Sequence, residues 1–167
     1  MSQKGNKQKK RAMISFGIVA QNRKAQFNYT IHETIEAGLV LLGAEVKSLR
    51  LGHATITESF ACEREGDLWL VNSYIPEYQG GIFSRFETRA PRKLLLRRKQ
   101  LRKYIGLIAK QGVTLVPLDI HFNDRGFAKV TLGLGVGKKS VDKRHAIAER
   151  DWQRDKARLM RNKNIVL

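Results

Sequence analysis

Residues 128–137 read AKVTLGLGVG, and this stretch decides the fold that the sequence predicts. Its apolar residues occupy every second position from Ala128 to Val136, with Lys, Thr and Gly between them. Alternation with a period of two is typical of a β-strand that has one buried face. The alternate glycines suit tight curvature. We therefore expect a sharply bent strand, as in a small closed barrel.

The rest of the chain predicts several short strands and two helices around this strand. Alternating apolar residues indicate strands, and apolar residues three or four apart indicate helices. We expect strands over 27–31, 45–50, 60–63, 68–75, 113–115 and 120–122, and helices over 35–42 and 92–111. Glu65-Gly66-Asp67 is a hairpin signal between two of these strands. The predicted fold is mainly β, a small closed barrel with attached helices, and an open α+β sandwich is the alternative.

The charge of the chain is strongly positive and unevenly placed. Lys and Arg number 32 against 15 Asp and Glu, so the formal net charge is +17 at pH 7. The excess lies in residues 1–24, 85–103 and 138–167, while the remaining body is slightly acidic. Three basic clusters on a near-neutral body indicate contact surfaces for a polyanion. Nucleic acid is therefore the expected partner.

We expect three parts: a flexible basic arm over 1–21, a folded body over 22–137 and a basic tail over 138–167. The tail is rich in helix formers, but its apolar stripe of Ala148, Trp152 and Leu159 is too thin to bury much surface. We expect the tail to be disordered when free and helical when bound. The alternative is a helix packed on the body with Trp152 as its anchor.

The sequence contains no apolar run of the roughly 20 residues that span a bilayer. The weakly apolar residues 12–20 follow a basic stretch and resemble a short signal peptide, but Ser15 and Gly17 interrupt them. We therefore interpret them as the apolar end of the arm, packed on the body of a cytoplasmic protein.

Motifs for catalysis, metal binding and nucleotide binding are weak. The segment from Gly133 to Ser140 resembles a phosphate loop, but Leu132 replaces its first glycine and Lys139 stands where Ser or Thr is required. A single cysteine, Cys62, excludes a site made of several thiolates. The histidines form no pair at metal-ligand spacing: they are His32, His53, His121 and His145. We predict a binding protein with no catalytic residues, no metal and no cofactor.

Exposed aromatic side chains beside Lys and Arg can stack on unpaired bases. The candidates for this role are Tyr29, Tyr78, Phe83, Phe86 and Trp152. Packing in the core is the alternative for each of them, and the alternating pattern favours it for Tyr29.

Six motifs occur in an order that resembles the SmpB family, whose members bind transfer-messenger RNA (tmRNA). They are Asn22-Arg23-Lys24-Ala25, Glu36-Ala37-Gly38-Leu39, GAEVKSLR from Gly43 to Arg50, RKLLL from Arg92 to Leu96, Val116-Pro117-Leu118, and Gly137-Lys138-Lys139 followed by Asp142-Lys143-Arg144. Each motif is weak alone, but all of them in this order, over about residues 22–161, are specific.

The resemblance implies an OB-fold barrel that binds the tRNA-like domain of tmRNA near the D-loop and elbow, where the protein stands in for the missing anticodon arm. The complex would enter ribosomes stalled on messages without a stop codon. The tail would lie in the 16S rRNA decoding centre and the empty mRNA channel. Translation would switch to the tag reading frame of tmRNA, and the tag marks the nascent chain for proteolysis. The resemblance implies no enzyme activity, and we expect a free monomer.

Two sets of functional residues follow from the resemblance. The RNA-binding set is Asn22, Lys24, Glu36, Lys47, Arg50, Lys93, Leu96, Lys129, Lys138 and Lys139. The ribosome-binding set on the tail is Asp142, Lys143, Arg144 and Trp152. Glu36 is the exception in the first set because a carboxylate repels phosphate. It could accept hydrogen bonds from a base edge or hold a neighbouring cation, and the alternative is a charge at a helix N-terminus, which the helix dipole favours.

Val141 departs from the family pattern, in which a histidine or an aromatic residue often precedes Asp-Lys-Arg. We therefore carry over no stacking contact with ribosomal RNA at this position. The alternative function is a structural protein of the ribosome whose basic ends penetrate folded rRNA, and an RNA-processing enzyme is a third hypothesis.

Overall fold

The computed structural model describes residues 13–79 and 86–163. Its strands are β1 Gly17–Gln21, β2 Tyr29–Leu39, β3 Phe60–Arg64, β4 Asp67–Val71, β5 Arg92–Leu95, β6 Val113–Phe122 and β7 Ala128–Gly137. Its helices are α1 Ala25–Asn28, α2 Gly43–Arg50, α3 Arg98–Ile108 and α4 Ser140–Lys163.

Antiparallel pairing joins the strands into one sheet. Its order is β1-β6-β3-β4-β5-β2-β7, and β7 also pairs with β6. The longest ladders join β7 to β2 on one side and to β6 on the other. The prediction of a mainly β fold with attached helices is confirmed at this level.

The strand β7 is confirmed over residues 128–137. Val130 and Leu132 are fully buried, so their face belongs to the core. The glycines allow a close approach of β2: a Cβ atom at Gly135 would lie 2.9 Å from the carbonyl oxygen of Thr30, and one at Gly133 would lie 3.1 Å from the side chain of Ile31. No side chain fits at Gly135 without a shift of the β2 backbone.

The core lies between the inward faces of the strands. Leu68, Leu70, Leu115, Ile120 and Phe122 are among its fully buried side chains. Burial of each one contributes about 1.5–3 kcal/mol. The hairpin predicted at Glu65 to Asp67 is confirmed, since this turn joins β3 to β4.

The helix predicted over 35–42 is wrong, because β2 continues through this stretch to Leu39. Ile35, Ala37 and Leu39 alternate inward and are buried. The spacing of Ile35, Leu39 and Leu42 imitates a helical stripe because residues four apart share a face in strands as well as in helices. Glu36 therefore lies within a strand, and its alternative role at a helix N-terminus is also wrong.

The strand predicted over 45–50 is wrong as well, since these residues form α2. The side chain of Glu45 accepts a hydrogen bond at 2.7 Å from the backbone N–H of Leu42 and so caps the first turn. Lys47 and Arg50, three residues apart, are neighbours on the helix surface.

The helix predicted over 92–111 is confirmed only in its second part. Arg92–Leu95 form β5, in which Arg92 and Leu94 alternate inward, and α3 begins at Arg98. The two strands predicted around Pro117 are one continuous strand, β6. An irregular register between Pro117 and Asp119 accommodates the proline.

Three boundaries also differ from prediction. The strand predicted from residue 27 begins at Tyr29, because Phe27 lies in α1, and β4 ends at Val71. The strand β1 pairs with β6, so residues 17–21 belong to the sheet and not to a flexible arm. The backbone N–H of Ile14 donates to the carbonyl of Arg50 at 2.6 Å, and residues 1–12 lie outside the described residues.

The tail forms one helix, α4, as far as residue 163. The side chain of Trp152 is 58% exposed, so this residue does not anchor the helix to the body.

Candidate nucleic-acid interface

Charged side chains of three neighbouring strands meet on the outer face of the sheet. Glu36 of β2 is in register with Thr131 of β7, which is in register with Asp119 of β6. Two residues away on β7, Lys129 is in register with His121 of β6. Residues paired in this way lie side by side on one face of a sheet. We call these five residues the Glu36 cluster.

The carboxylate of Glu36 connects the cluster. Its Oε1 lies 3.4 Å from Lys129 Nζ, and its Oε2 lies 3.2 Å from His121 Nε2. The other ring nitrogen of His121 lies 2.8 Å from Asp119 Oδ1, which also accepts a hydrogen bond from the Thr131 hydroxyl at 3.1 Å. Glu36 is half exposed and holds Lys129 in a fixed position on the surface, where the ammonium group can bind a phosphate.

His121 and Asp119 belong to this surface, although neither was predicted from the sequence. His121 is far from every other histidine along the chain. Spacing along the chain does not reveal contacts between neighbouring strands. The available signal was the alternation of Ile120 and Phe122, which places His121 on the outer face of its strand.

Lys47 and Arg50 of α2 both contact aromatic rings. The ammonium group of Lys47 is 5.6 Å from the centre of the Tyr78 ring, and the guanidinium carbon of Arg50 is 4.8 Å from the centre of the Phe122 ring. Lys47 is exposed and Arg50 is half-buried. Cation–π contacts of this kind restrict the side chains while their charge remains available to an anion.

Asn22 is buried, so its side chain is not exposed on the surface of the protein. Its side-chain amide donates to the carbonyls of Pro117 at 3.1 Å and Ile56 at 3.4 Å, and its backbone N–H donates to Leu118 at 2.7 Å. Asn22 therefore fixes the backbone beside Lys24, which is exposed at the start of α1.

The RKLLL motif, Arg92 to Leu96, contains both a partly exposed lysine and residues that stabilise the fold. Lys93 is half-buried in an ion pair with Asp67, and Leu96 packs against the core. Arg92 is buried, with its Nε 2.8 Å from Glu45 Oε1. Its guanidinium also donates to three backbone carbonyls between residues 73 and 90. Arg92 thus joins α2 to the segments on either side of residues 80–85.

Lys138 and Lys139 form the junction between β7 and α4. The backbone N–H of Lys138 donates to the carbonyl of Asn28 at 2.9 Å, and its ammonium group donates to the carbonyl of Gln26 at 2.9 Å. The N–H of Lys139 donates to the carboxylate of Asp142 at 3.2 Å. The start of the tail helix is therefore attached to α1.

The structure brings Glu36 and Lys129 into contact. The rest of the predicted RNA-binding set lies between β1 and α1, on α2, on and just after β5, and at the β7–α4 junction. The ribosome-binding set lies on α4, where Lys143 is half-buried and Asp142, Arg144 and Trp152 are exposed. Of the other stacking candidates, Tyr29, Tyr78 and Phe86 are half-buried, and Phe83 lies outside the described residues.

Glu33 attaches α3 to β2. Lys103 and the Tyr104 hydroxyl both donate to its Oε1 at 2.7 Å. The hydrogen bond from Lys103 and then that from Tyr104 lower the pKa of Glu33. The hydrogen bond to Glu33 raises the pKa of Lys103. The pKa of Tyr104 is also raised, mainly by burial and to a smaller extent by its hydrogen bond to Glu33.

Over residues 13–79 and 86–163, no group of three or more His, Cys, Asp or Glu side chains is placed to hold a metal ion. None of the helices in the described part of the chain is long and apolar enough to cross a membrane.

Comparison with known proteins gives consistent matches. The family model of the SmpB protein matches residues 19–162. The SsrA-binding protein of Gluconacetobacter diazotrophicus is 74% identical over 151 residues, which are 90% of this chain and 98% of the relative. That of Gluconobacter oxydans is 68% identical, covering 93% of this chain and 95% of the relative. A chain from a solved tmRNA–SmpB structure is 50% identical, with a TM-score of 0.61 over 72% of this chain and 84% of that one.

Proposed function

Since the chain belongs to the SmpB family, we propose that it binds tmRNA and acts with it on the ribosome in trans-translation. In the name of the SsrA-binding proteins, SsrA stands for tmRNA. The single observation that carries the function is the 74% identity over 98% of the length of an SsrA-binding protein. The Glu36 cluster, Lys24 at the start of α1, and the basic residues of α2 and the β7–α4 junction give the chain a surface suited to structured RNA.

The body recognises the tRNA-like domain of tmRNA near its D-loop and elbow and takes the place of the missing anticodon arm. The fixed position of Lys129, the ring contacts of Lys47 and Arg50, and the tethered backbone beside Lys24 support this role. Cations held in fixed positions match the phosphate positions of one RNA shape at a low entropy cost, whereas mobile cations bind any polyanion.

The tail reads the decoding centre and the empty mRNA channel, after which translation switches to the tag reading frame and the nascent chain is marked for proteolysis. We assign the body to residues 22–137, together with β1, and the tail to residues 138–167. The exposure of residues 148–161 supports this division, since a helix that packs so little on its own body has its surface available for another partner.

The sheet closes into an OB-type barrel in this proposal. Its support is the β6–β7 pairing, which connects two strands that the sheet order also joins through β3, β4, β5 and β2. The protein acts as an RNA-binding protein without enzyme activity, as a monomer before it meets its RNA, and in the cytoplasm, where ribosomes stall.

The test is a reconstituted tagging reaction with tmRNA and ribosomes stalled on a message without a stop codon. The full-length chain should be required for tagged product, and salt-washed ribosomes should contain it in less than stoichiometric amount. Tagging without the chain would contradict the proposal. Stoichiometric presence in every salt-washed ribosome would favour a structural ribosomal protein instead.

A further inference from the structure

Phe127 is an exposed phenylalanine on the loop between β6 and β7, next to the Glu36 cluster. Its side chain is 63% exposed, whereas Phe122 at the end of β6 is fully buried. An aromatic ring exposes a large apolar area to water, and burial of this area would be favourable. The ring is therefore available to a partner.

The loop that carries Phe127 is held in one conformation by Asn123. The side-chain oxygen of Asn123 accepts hydrogen bonds from the backbone N–H groups of Arg125 at 3.1 Å and Phe127 at 2.8 Å. The N–H of Asn123 donates to the carbonyl of Phe127 at 3.0 Å, and Gly126 adopts a positive φ of 76° that favours glycine. A ring on such a loop is already placed before a partner binds, which lowers the entropy cost of binding.

Phe127 lines a surface groove of about 440 Å³. Leu39 and the exposed Leu95 provide its apolar surface, and Arg125 and Lys129 line it with positive charge. Gly38 also lines the groove, and a Cβ atom at this position would be 3.2 Å from Leu95 Cβ. The groove therefore combines an apolar wall, an aromatic ring and two cations.

We propose that this groove binds one unpaired base of the tRNA-like domain. The base stacks on Phe127 and contacts Leu95, while Arg125 and Lys129 bind the adjacent phosphates. A nucleotide matches both properties of the groove, since its base is flat and apolar on its faces and its phosphate is negative. An apolar peptide would match only the ring and the leucines. This inference rests on the proposed function and adds a base-binding residue that the family motifs do not contain.

The first test compares the affinity of full-length variants for the tRNA-like domain. Phe127→Ala should weaken binding by about 5- to 150-fold, the range expected for loss of one stacked base. The factor should be similar at low and high salt because stacking does not release counterions. Phe127→Trp should bind as wild type. The matched control is Phe60→Ala, which removes another exposed ring (44%) from a separate groove formed with Ile105 and Ile108.

The second test identifies the base. The tRNA-like domain is prepared with 2-aminopurine at each unpaired position in turn, and its fluorescence is measured with and without protein. Quenching at one position by wild type, and its loss with Phe127→Ala, would support the proposal. Equal affinity of wild type and Phe127→Ala, or quenching that both share, would overturn the base-binding groove alone. Failure of wild type to prefer the tRNA-like domain over an unrelated hairpin would instead overturn the proposed function.

Discussion

Glu36 and His121 face each other across β7, with Glu36 Oε2 3.2 Å from His121 Nε2. Lys129, which lies on β7 between them, contacts the other oxygen of the same carboxylate at 3.4 Å. A carboxylate on the surface that we propose binds RNA thus has a physical role, since it sets the positions of Lys129 and His121. The relative positions of Glu36, Lys129 and His121 depend on the register of β2, β7 and β6.

Replacement of Glu36 by glutamine should lower the affinity for the tRNA-like domain by about five-fold, or about 1 kcal/mol, the upper range for an exposed ion pair. The variant loses the charge that positions Lys129 and His121. Filter binding at a fixed salt concentration measures the effect. The matched control is Glu65→Gln at the tip of the β3–β4 hairpin, which removes the same charge and should leave the affinity unchanged or slightly higher. A gain in affinity for Glu36→Gln would contradict the positioning role.

Replacement of Arg92 by methionine should lower the free energy of unfolding by about 3–5 kcal/mol, because it removes one partner of a buried ion pair and leaves Glu45 Oε1 without its guanidinium. The two side chains are 2% and 5% exposed. Urea denaturation measures the loss. Lys93→Ala is the control, since its partly exposed ion pair with Asp67 should contribute about 0–1 kcal/mol. Equal losses for the two variants would show that burial of the Arg92 pair does not matter.

The contact between Glu33 and α3 should depend on pH. Hydrogen bonds from Lys103 and Tyr104 hold the pKa of Glu33 below its usual range, so its charged form stabilises the folded state. This stabilisation is present above the usual pKa and is lost as the pH falls through the lowered one. Glu33→Gln should therefore lower the melting temperature at pH 7, and its difference from wild type should shrink towards pH 3. A difference that stays constant over this range would show that the charge of Glu33 is not involved.

A chain that stops after Lys139 should separate the two roles, because it keeps both lysines of the β7–α4 junction. It lacks α4 but keeps every strand of the described sheet. Its affinity for the tRNA-like domain should stay largely intact, while tagging on stalled ribosomes should fail. Gel shift and the reconstituted tagging reaction measure the two properties on the same preparation. Loss of both would contradict the division into body and tail.

Local pattern predicts the elements whose period is unambiguous. The strand β7 and the β3–β4 hairpin were predictable because their apolar residues alternate on either side of clear turn signals. Residues 35–50 were not, since the four-residue spacing of Ile35 and Leu39 suits both a strand and a helix, and the cap from Glu45 to Leu42 becomes visible only in three dimensions.

The candidate site divides in the same way. The family resemblance predicts a role in RNA binding for Glu36 and Lys129 but does not show that they touch, because their contact depends on the pairing of β2 with β7. His121, Asp119 and Phe127 lie outside the motifs and are recognised only from register and exposure. Arg92 and Asn22 lie within motifs but are buried, so a motif alone does not distinguish a residue that contacts RNA from one that supports the fold.

The most direct test of specific tmRNA recognition is a binding titration over a salt series with three RNAs: the tRNA-like domain, an elongator tRNA and an unrelated hairpin. Phosphate contacts weaken steeply as salt rises, whereas contacts that read shape and bases remain. We predict that the full-length chain prefers the tRNA-like domain and that this preference persists at high salt. Equal and steeply salt-dependent binding to all three RNAs would mean that charge alone drives binding, and would contradict specific recognition.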